Sequence, residues 1–303
     1  MQSKTRTMPE AAPAGAKFGD YLELTKPRLS LLSVMTAMVG YFAARPAFDA
    51  GKVGLLAVGT CLAAGGVASL NQWMESDTDA QMRRTALRPI PTGKIAGGSA
   101  FVLGWIMCIA SLMLTFALVG RLAALFTLLT IASYLGWYTP AKRSSRWSTE
   151  IGAIAGAFPP LIGWSAAAGG VTALGWILFG VLFFWQIPHF MAIAWTYRRD
   201  YASVKFPMLP VRDETGGRVA LWSFIATLAL VSLSVLPSFL GLDSAWYAAA
   251  AAAVGAVFLW RAAVFLRPRT RDVAARSLFL FSLAYLPLVL GLLVADRMLA
   301  RHP

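Results

Sequence analysis

Hydrophobic residues in this chain gather in long runs rather than in the alternation of half-buried strands, and short polar stretches separate the runs. About 20 apolar residues carry an α-helix across a bilayer, and several runs approach or exceed that length. Nine spans are predicted, at about 27–44, 53–74, 98–120, 122–139, 150–168, 172–197, 219–241, 245–266 and 277–295. The runs are too long and too uniformly apolar for the strands of an outer-membrane barrel. The expected fold is therefore all-α, a polytopic membrane helical bundle of nine transmembrane helices. No soluble domain fits between the spans, so residues 21–297 are expected to form one membrane domain. Residues 1–20, rich in Ala and Pro, read as a disordered tail, and residues 298–303 as a short C-terminal tail.

Composition supports this reading: 58% of residues are hydrophobic and only 14% are charged, against roughly 25% in a soluble domain. Charge placement then orients the bundle. With nine spans, 22 of the 27 Lys and Arg fall on the face holding the N-terminus and the loops after spans 2, 4, 6 and 8, counting Arg261 as snorkelling there. Arg45, Lys52, Arg121, Arg297 and Arg301 remain for the other face. The positive-inside rule makes the rich face cytoplasmic, and a bacterial inner membrane is the expected location. The net charge of +13 thus reads as topology and attraction to anionic lipid, not as nucleic-acid binding. Cys61 and Cys108 sit in different spans without metal-ligand spacing and read as apolar packers.

Three stretches on the cytoplasmic face carry unusual polar residues. The first, "SLNQWMESDTDAQMRRTALRP" from Ser69, holds Asn71, Glu75, Asp77 and Asp79, followed by Arg83, Arg84 and Arg88. If span 2 stays helical, Asn71, Glu75 and Asp79 fall at i, i+4 and i+8 on one face. Asp77 lies off that stripe, though a slight unwinding could bring it in. Like charges at that spacing destabilise a bare helix, and a carboxylate at bilayer depth costs roughly 2.5–3.5 kcal/mol. Arginine pairing is one way to offset the cost. A divalent cation is the other, and oxygen-only ligands suit Mg²⁺, which completes its shell with water and phosphate. Guanidiniums beside such an ion read as phosphate clamps.

The second stretch, "WYTPAKRSSRW", ends span 4 at Tyr138 and Pro140 and presents Lys142 and Arg143, as further clamps or as ordinary positive-inside charge. A Gly/Ala-rich segment with Pro159 and Pro160 follows, where small residues let helices approach and prolines break backbone bonds near a cavity. The third, "FWQIPHFMAIAWTYRRDYASVKFPMLP", places His189 inside span 6 with Trp185, Gln186 and Phe190 around it. An intramembrane histidine can be an interhelical hydrogen bond, a haem-iron ligand or a proton carrier. Asp200 could pair with Arg198 or Arg199, or face the metal site.

Together these stretches resemble the intramembrane prenyltransferases of the UbiA superfamily, and within it the heme-specific branch. The first resembles the family's N-x-x-x-D-x-D-x-D-x-x-M-x-R-T-x-x-R-P, with Asn71, Glu75, Asp77, Asp79, Met82, Arg84, Thr85, Arg88 and Pro89 in its places. The second resembles Y-T-x-x-x-K-R, through Tyr138, Thr139, Lys142 and Arg143, and continues into G-A-x-P-P-x-I-G from Gly156 to Gly163. The third resembles W-Q-x-P-H-F, from Trp185 to Phe190, with Asp200–Tyr201 and Pro207–Pro210 beyond it. "LTKPR" at 24–28, with Lys26 and Arg28, matches the family's opening. Glu75 stands where the family more often has Asp, and the superfamily's second aspartate-rich motif is absent.

The resemblance implies transfer of the farnesyl group of farnesyl diphosphate to the 2-vinyl group of heme b, with water addition, giving heme O and diphosphate. It implies Mg²⁺ (or another divalent cation) on Asn71, Glu75 and Asp79, with Asp77 and His189 as further catalytic groups. Diphosphate would be held by Arg84, Arg88, Lys142 and Arg143. Heme b, as substrate, would meet His189, Trp185 and Gln186, and Asp200, Tyr201, Lys26 and Arg28 form a candidate second site. A downstream heme A synthase is a candidate partner. The alternatives are a sister enzyme with another aromatic or tetrapyrrole acceptor and, from a different class, a transporter of an anionic or isoprenoid solute.

Overall fold

The structure, a computed structural model, describes residues 16–44 and 46–299. Residues 1–15 and 300–303 of the two expected tails lie outside them. The expected tail also proves too long, because Phe18 already opens a helix, α1 (Phe18–Leu24). No β-strand occurs among the described residues. The first predicted span forms α2 (Pro27–Ala43), 17 residues with Pro27 in its first turn. Among the described residues eight helical segments, α2 not among them, are long and apolar enough to cross a bilayer, against the nine expected.

Capping and backbone chemistry set most boundaries. The second span, α3 (Ala50–Met74), starts where Asp49 accepts a hydrogen bond from the Lys52 N–H, filling one of the helix's orphan donors. A four-residue helix, α4 (Ser76–Asp79), follows directly. Next come α5 (Gly97–Leu114), running into a π-helical turn at Thr115–Val119, and α6 (Arg121–Ala132). The fourth span was expected to stop at Tyr138 and Pro140. It continues instead through a π-helical turn (Ser133–Tyr138) into α7 (Thr139–Ser144), because Pro140 occupies a first-turn position that needs no N–H donor. Lys142 and Arg143 therefore sit on a helix. The proline pair divides the next span into α8 (Ser148–Ala157) and α9 (Pro159–Ala168).

The remaining elements are α10 (Ala173–Thr196), the short helices α11 (Arg198–Ser203) and α12 (Leu209–Arg212), then α13 (Gly217–Phe239), α14 (Ala245–Phe265) and α15 (Arg271–Leu299). Helix α15 starts a turn and a half before the predicted 277. Its first turns are polar, which a hydropathy reading leaves out.

The long helices close into a ring. Helix α2 packs on α3, α3 on α5, α5 on α6, α6 on α8 and α9, α8 on α10, α10 on α13, α13 on α14 and α14 on α15, which returns to α2. Lipid offers no hydrophobic drive between helices, so close backbone approach carries the packing. Helices α2 and α9 show this best. A Cβ on Gly163 would lie 1.7 Å from the Ala37 carbonyl oxygen, and one on Gly40 would lie 2.0 Å from that of Pro160. Hydroxyls such as Ser69, Thr127, Ser165 and Thr227 bond back to carbonyls one turn earlier. The end of α3, α4, α7 and the loop after α10 meet at one end of the ring, around the cavity described next.

Candidate active site

A cavity of about 260 Å³ opens at that end. Six charged side chains line it: Lys26, Glu75, Asp79, Arg84, Arg88 and Lys142. The acidic stripe survives the end of α3. Glu75 is its C-cap, yet its N–H donates to the Asn71 carbonyl at 3.0 Å, and the Asp79 N–H donates to the Glu75 carbonyl at 2.8 Å. The i, i+4 spacing thus carries across the break, and Asn71, Glu75 and Asp79 all face the cavity.

Each buried carboxylate has a cation from a separate element. Lys142 Nζ on α7 lies 2.8 Å from Glu75 Oε1, and Arg88 Nη1 lies 2.5 Å from Asp79 Oδ2. Asn71 Nδ2 donates to Thr139 Oγ1 at 3.2 Å, turning its carbonyl oxygen toward Lys26 Nζ at 3.4 Å. Lys26 reaches this point from a tight α1–α2 turn in which it adopts φ 47°, a costly conformation for a residue with a Cβ. Burial first, and then the neighbouring charges of Arg88 and Lys142, push its ammonium down to about 7. The guanidinium of Arg84 lies over the rings of Tyr197 and Tyr201 and donates to the Tyr201 hydroxyl at 2.8 Å. Four basic side chains against two carboxylates make the cavity a receptor for an anion.

Away from the charges the walls become apolar and aromatic. Tyr134 and Tyr138 sit edge to face, with Lys142 Nζ 4.6 Å from the Tyr138 ring centre. Gly152 and Gly156 of α8 lie beneath Tyr138 and Gln186, and Phe190 and Ile193 of α10 continue the wall. Gln186 donates to the Ala153 and Leu182 carbonyls, which holds it at the lining.

Several expected site residues stand elsewhere. Asp77 points outward, 60% exposed, and its carboxylate is gripped by both terminal nitrogens of Arg143. That guanidinium holds its carboxyl below the usual range. Neither residue lines the cavity: Asp77 is two residues, about 200°, from both Glu75 and Asp79, and Arg143 about 100° from Lys142. Arg28 lines only a shallow surface groove with Leu22 and Glu23. Asp200 does not line the cavity, and Arg198 pairs with Asp272 rather than with it.

His189 faces the seam between α10 and α15, not the cavity. Its Nδ1 lies 2.7 Å from Ser282 Oγ, Trp185 stacks on its ring, and Trp185 Nε1 donates to the Ser282 carbonyl. Of the three expected heme contacts, only Gln186 lines the cavity. Tyr134, Thr149 and Tyr197 belong to the site without having been singled out. The i, i+4 pairs Tyr134/Tyr138 and Tyr197/Tyr201 were the available signal.

Oxygen donors suited to a hard cation are present. Asp79 Oδ1 is buried without a hydrogen-bond partner, and Glu75 and Asn71 line the same cavity. Among the described residues no three His, Cys, Asp or Glu side chains form a ready-made metal cage. Two carboxylates and an amide fit Mg²⁺, which takes few protein ligands and fills its shell from water and phosphate.

A ring of membrane helices with an acidic–basic cluster at one end of an apolar cavity defines an intramembrane enzyme acting on an amphiphilic anion. The chain belongs to the UbiA prenyltransferase family, whose profile matches residues 33–284. It is 70% identical to the protoheme IX farnesyltransferase of Opitutus terrae, over 94% of this chain and 97% of that one. It is 42% identical to the protoheme IX farnesyltransferase of Solibacter usitatus, over 92% and 98%. Among solved structures, a digeranylgeranylglyceryl phosphate synthase superposes with a TM-score of 0.78 at 18% identity, over 92% of this chain and 98% of that one. A UbiA homolog from Archaeoglobus fulgidus bound to GPP and Mg²⁺ superposes with 0.62 at 12% identity, over 90% and 99%. These likenesses establish the fold.

Proposed function

We propose that the chain transfers the farnesyl group of farnesyl diphosphate to the 2-vinyl group of heme b, adding water to give heme O and releasing diphosphate. The observation that carries the reaction type is the joining of Asn71, Glu75 and Asp79 with Lys26, Arg84, Arg88 and Lys142 at the polar end of an aromatic-walled cavity. The acceptor follows the relatives named protoheme IX farnesyltransferase. The concentration of Lys and Arg in the N-terminal segment and the loops after α3 and α10 supports a cytoplasmic face for the cavity end, in a bacterial inner membrane.

Asn71, Glu75 and Asp79 would hold a divalent cation, Mg²⁺ or its equivalent, which would supply charge neutralisation for the leaving diphosphate. Arg84, Arg88, Lys142 and Lys26 bind the diphosphate oxygens and stabilise the charge that grows as the farnesyl C1–O bond breaks. The electron pair leaves with diphosphate. Tyr134, Tyr138, Phe190 and Ile193 shield the allylic cation from water while the terminal vinyl carbon supplies the pair for the new C–C bond. A water oxygen then bonds to the porphyrin-side carbon and loses a proton. In this reading Gln186 and Phe190 face the acceptor, His189 supports that wall from behind, and the Asp77–Arg143 pair stays outside the chemistry.

Mass spectrometry of heme extracted from a heme O-deficient host expressing the chain tests the assignment. A farnesylated, hydrated heme is expected. Membranes that instead prenylate 4-hydroxybenzoate and leave heme b unchanged would favour a sister enzyme, and no diphosphate release with any acceptor would favour a transporter.

A further inference from the structure

Away from the catalytic cavity, a groove of about 480 Å³ runs between α14 and α15 on the lipid-facing side of the ring. It lies near the C-terminal end of α14 and the first turns of α15, at the end of the bundle that also holds the catalytic cluster. Its polar end is formed by Arg261, Arg276 and Ser277, and its apolar floor by Leu280, Phe281 and Ala284. No carboxylate lines it.

Arg261 is the unusual member. It sits one turn inside α14, a bilayer-spanning helix, where an ionisable group is expensive and calls for a partner. Among the described residues no acidic side chain pairs with it. One terminal nitrogen donates to Ser277 Oγ, its guanidinium lies 5.0 Å from the centre of the Phe281 ring, and its Nε is buried with no hydrogen-bond partner. The nearby acid, Asp272, is taken by Arg198 and Trp195. Arg276, one turn and a half from Phe281 toward the headgroup region, is exposed and adds a second guanidinium.

We propose that this groove is a binding site for an anionic phospholipid. The headgroup phosphate bridges Arg261 and Arg276, and one acyl chain lies along Leu280, Phe281 and Ala284. Three features select this occupant. The charge is positive and uncompensated, a planar guanidinium matches phosphate oxygens, and the apolar floor continues from the polar end along the helix axis toward the bilayer core. A basic pocket between helices at the headgroup level is the arrangement that recognises anionic lipid. None of these residues belongs to the catalytic cavity, so the site concerns how the enzyme is held in its membrane, independently of which acceptor it uses.

Native mass spectrometry of the full-length purified chain, loaded with phosphatidylglycerol or phosphatidylcholine of matched acyl chains, tests this. Phosphatidylglycerol is expected to be retained preferentially. The double variant R261Q/R276Q is expected to lose that preference by roughly 25-fold, at about fivefold per guanidinium. R267Q/R269Q removes the same charge from the adjoining turn and is expected to keep the preference. L280W, which fills the apolar floor at a lipid-exposed position and leaves both arginines in place, is expected to weaken retention of the whole lipid. Inorganic phosphate is expected to give no thermal stabilisation where phosphatidylglycerol does. Equal losses in the two arginine variants would mean diffuse attraction and overturn the proposal. So would unchanged retention in R261Q/R276Q or L280W, stabilisation by phosphate alone, or a dimer that excludes lipid from the wild-type chain.

Discussion

Replacing Asp79 with Asn keeps the side chain's shape and removes the charge of the more buried of the two cavity carboxylates. Asp79 is 1% exposed and touches Arg88 at 2.5 Å, and its second oxygen has no partner. Breaking a fully buried ion pair costs about 3–5 kcal/mol. Here the Arg88 side chain keeps 24% exposure and the amide oxygen still accepts its hydrogen bond, so the expected stability loss is about 1–2 kcal/mol. The loss in turnover is expected to be larger. A charge that helps hold the leaving group's counter-ion is worth about 10²–10³ in kcat, or roughly 3–4 kcal/mol. Asp77→Asn is the internal control. It removes a carboxylate two residues away, yet that carboxylate is exposed and occupied by Arg143. Its effect on stability is expected to stay within about 1 kcal/mol, with turnover changed by roughly twofold at most. The assay is heme O formation by purified enzyme across a Mg²⁺ titration, beside thermal melts of both variants. Similar losses for the two substitutions, or an Asp79→Asn enzyme with ordinary turnover and an unchanged Mg²⁺ requirement, would refute the placement of these carboxylates.

Three further outcomes follow from particular contacts. Chelation by EDTA is expected to stop product formation reversibly while lowering the melting temperature little, because Lys142 and Arg88 already offset Glu75 and Asp79; an apoenzyme that unfolds on chelation would contradict that pairing. Gly163→Ala forces α2 and α9 apart, since its Cβ would meet the Ala37 backbone rather than a movable side chain. A loss of about 1–3 kcal/mol is expected by thermal unfolding, and a melting temperature equal to wild type would show that the helices do not approach as described. Ser282→Ala leaves the His189 ring without its partner and is expected to cost about 0.5–1.5 kcal/mol of stability with farnesyl diphosphate affinity unchanged, as read by thermal shift and by binding; an affinity loss with no loss of stability would place His189 in the cavity instead.

How much of this could be read from the chain depended on which physical rule governed each feature. The existence of the helices was legible because a bilayer demands apolar length and little else. Their ends were less so: Pro140 restarts a helical turn instead of stopping the span, and α15 begins among polar residues beyond any hydropathy window. The inward stripe of Asn71, Glu75 and Asp79 was legible because it needs only the i, i+4 rule, which the backbone obeys across the break at Glu75. Motif reading failed at the neighbours of inward residues. Lys142 and Arg143 are adjacent, as are Trp185 and Gln186, but a helix turns each residue about 100° from the one before. Lys142 therefore faces Glu75 while Arg143 reaches around to Asp77, and Gln186 and Phe190 line the cavity while Trp185 and His189, each one residue earlier, meet Ser282. Lys26 was legible as a family feature, but its entry into the cavity depends on a left-handed turn that no periodicity encodes.

The pairing inside the cavity also answers why so apolar a chain keeps carboxylates and basic groups together. Uncompensated, Glu75 and Asp79 would each be costly at this depth, and so would Lys142. Cross-element pairing lets all of them stay charged while the site waits for substrate. Within the proposed reaction, Glu75 and Asp79 would be free to hold a divalent cation once Lys142 and Arg88 turn to the diphosphate oxygens. Each ion then trades one partner for another, and no charge passes through an unpaired buried state, the condition that makes buried ion pairs so costly to open. Arg84, which has no carboxylate of its own in the cavity, supplies excess positive charge, and Lys26, its pKa held near 7, gains its proton more readily as an anion arrives. When diphosphate leaves, the internal pairs re-form, so the same contacts that stabilise the resting enzyme help to expel the product.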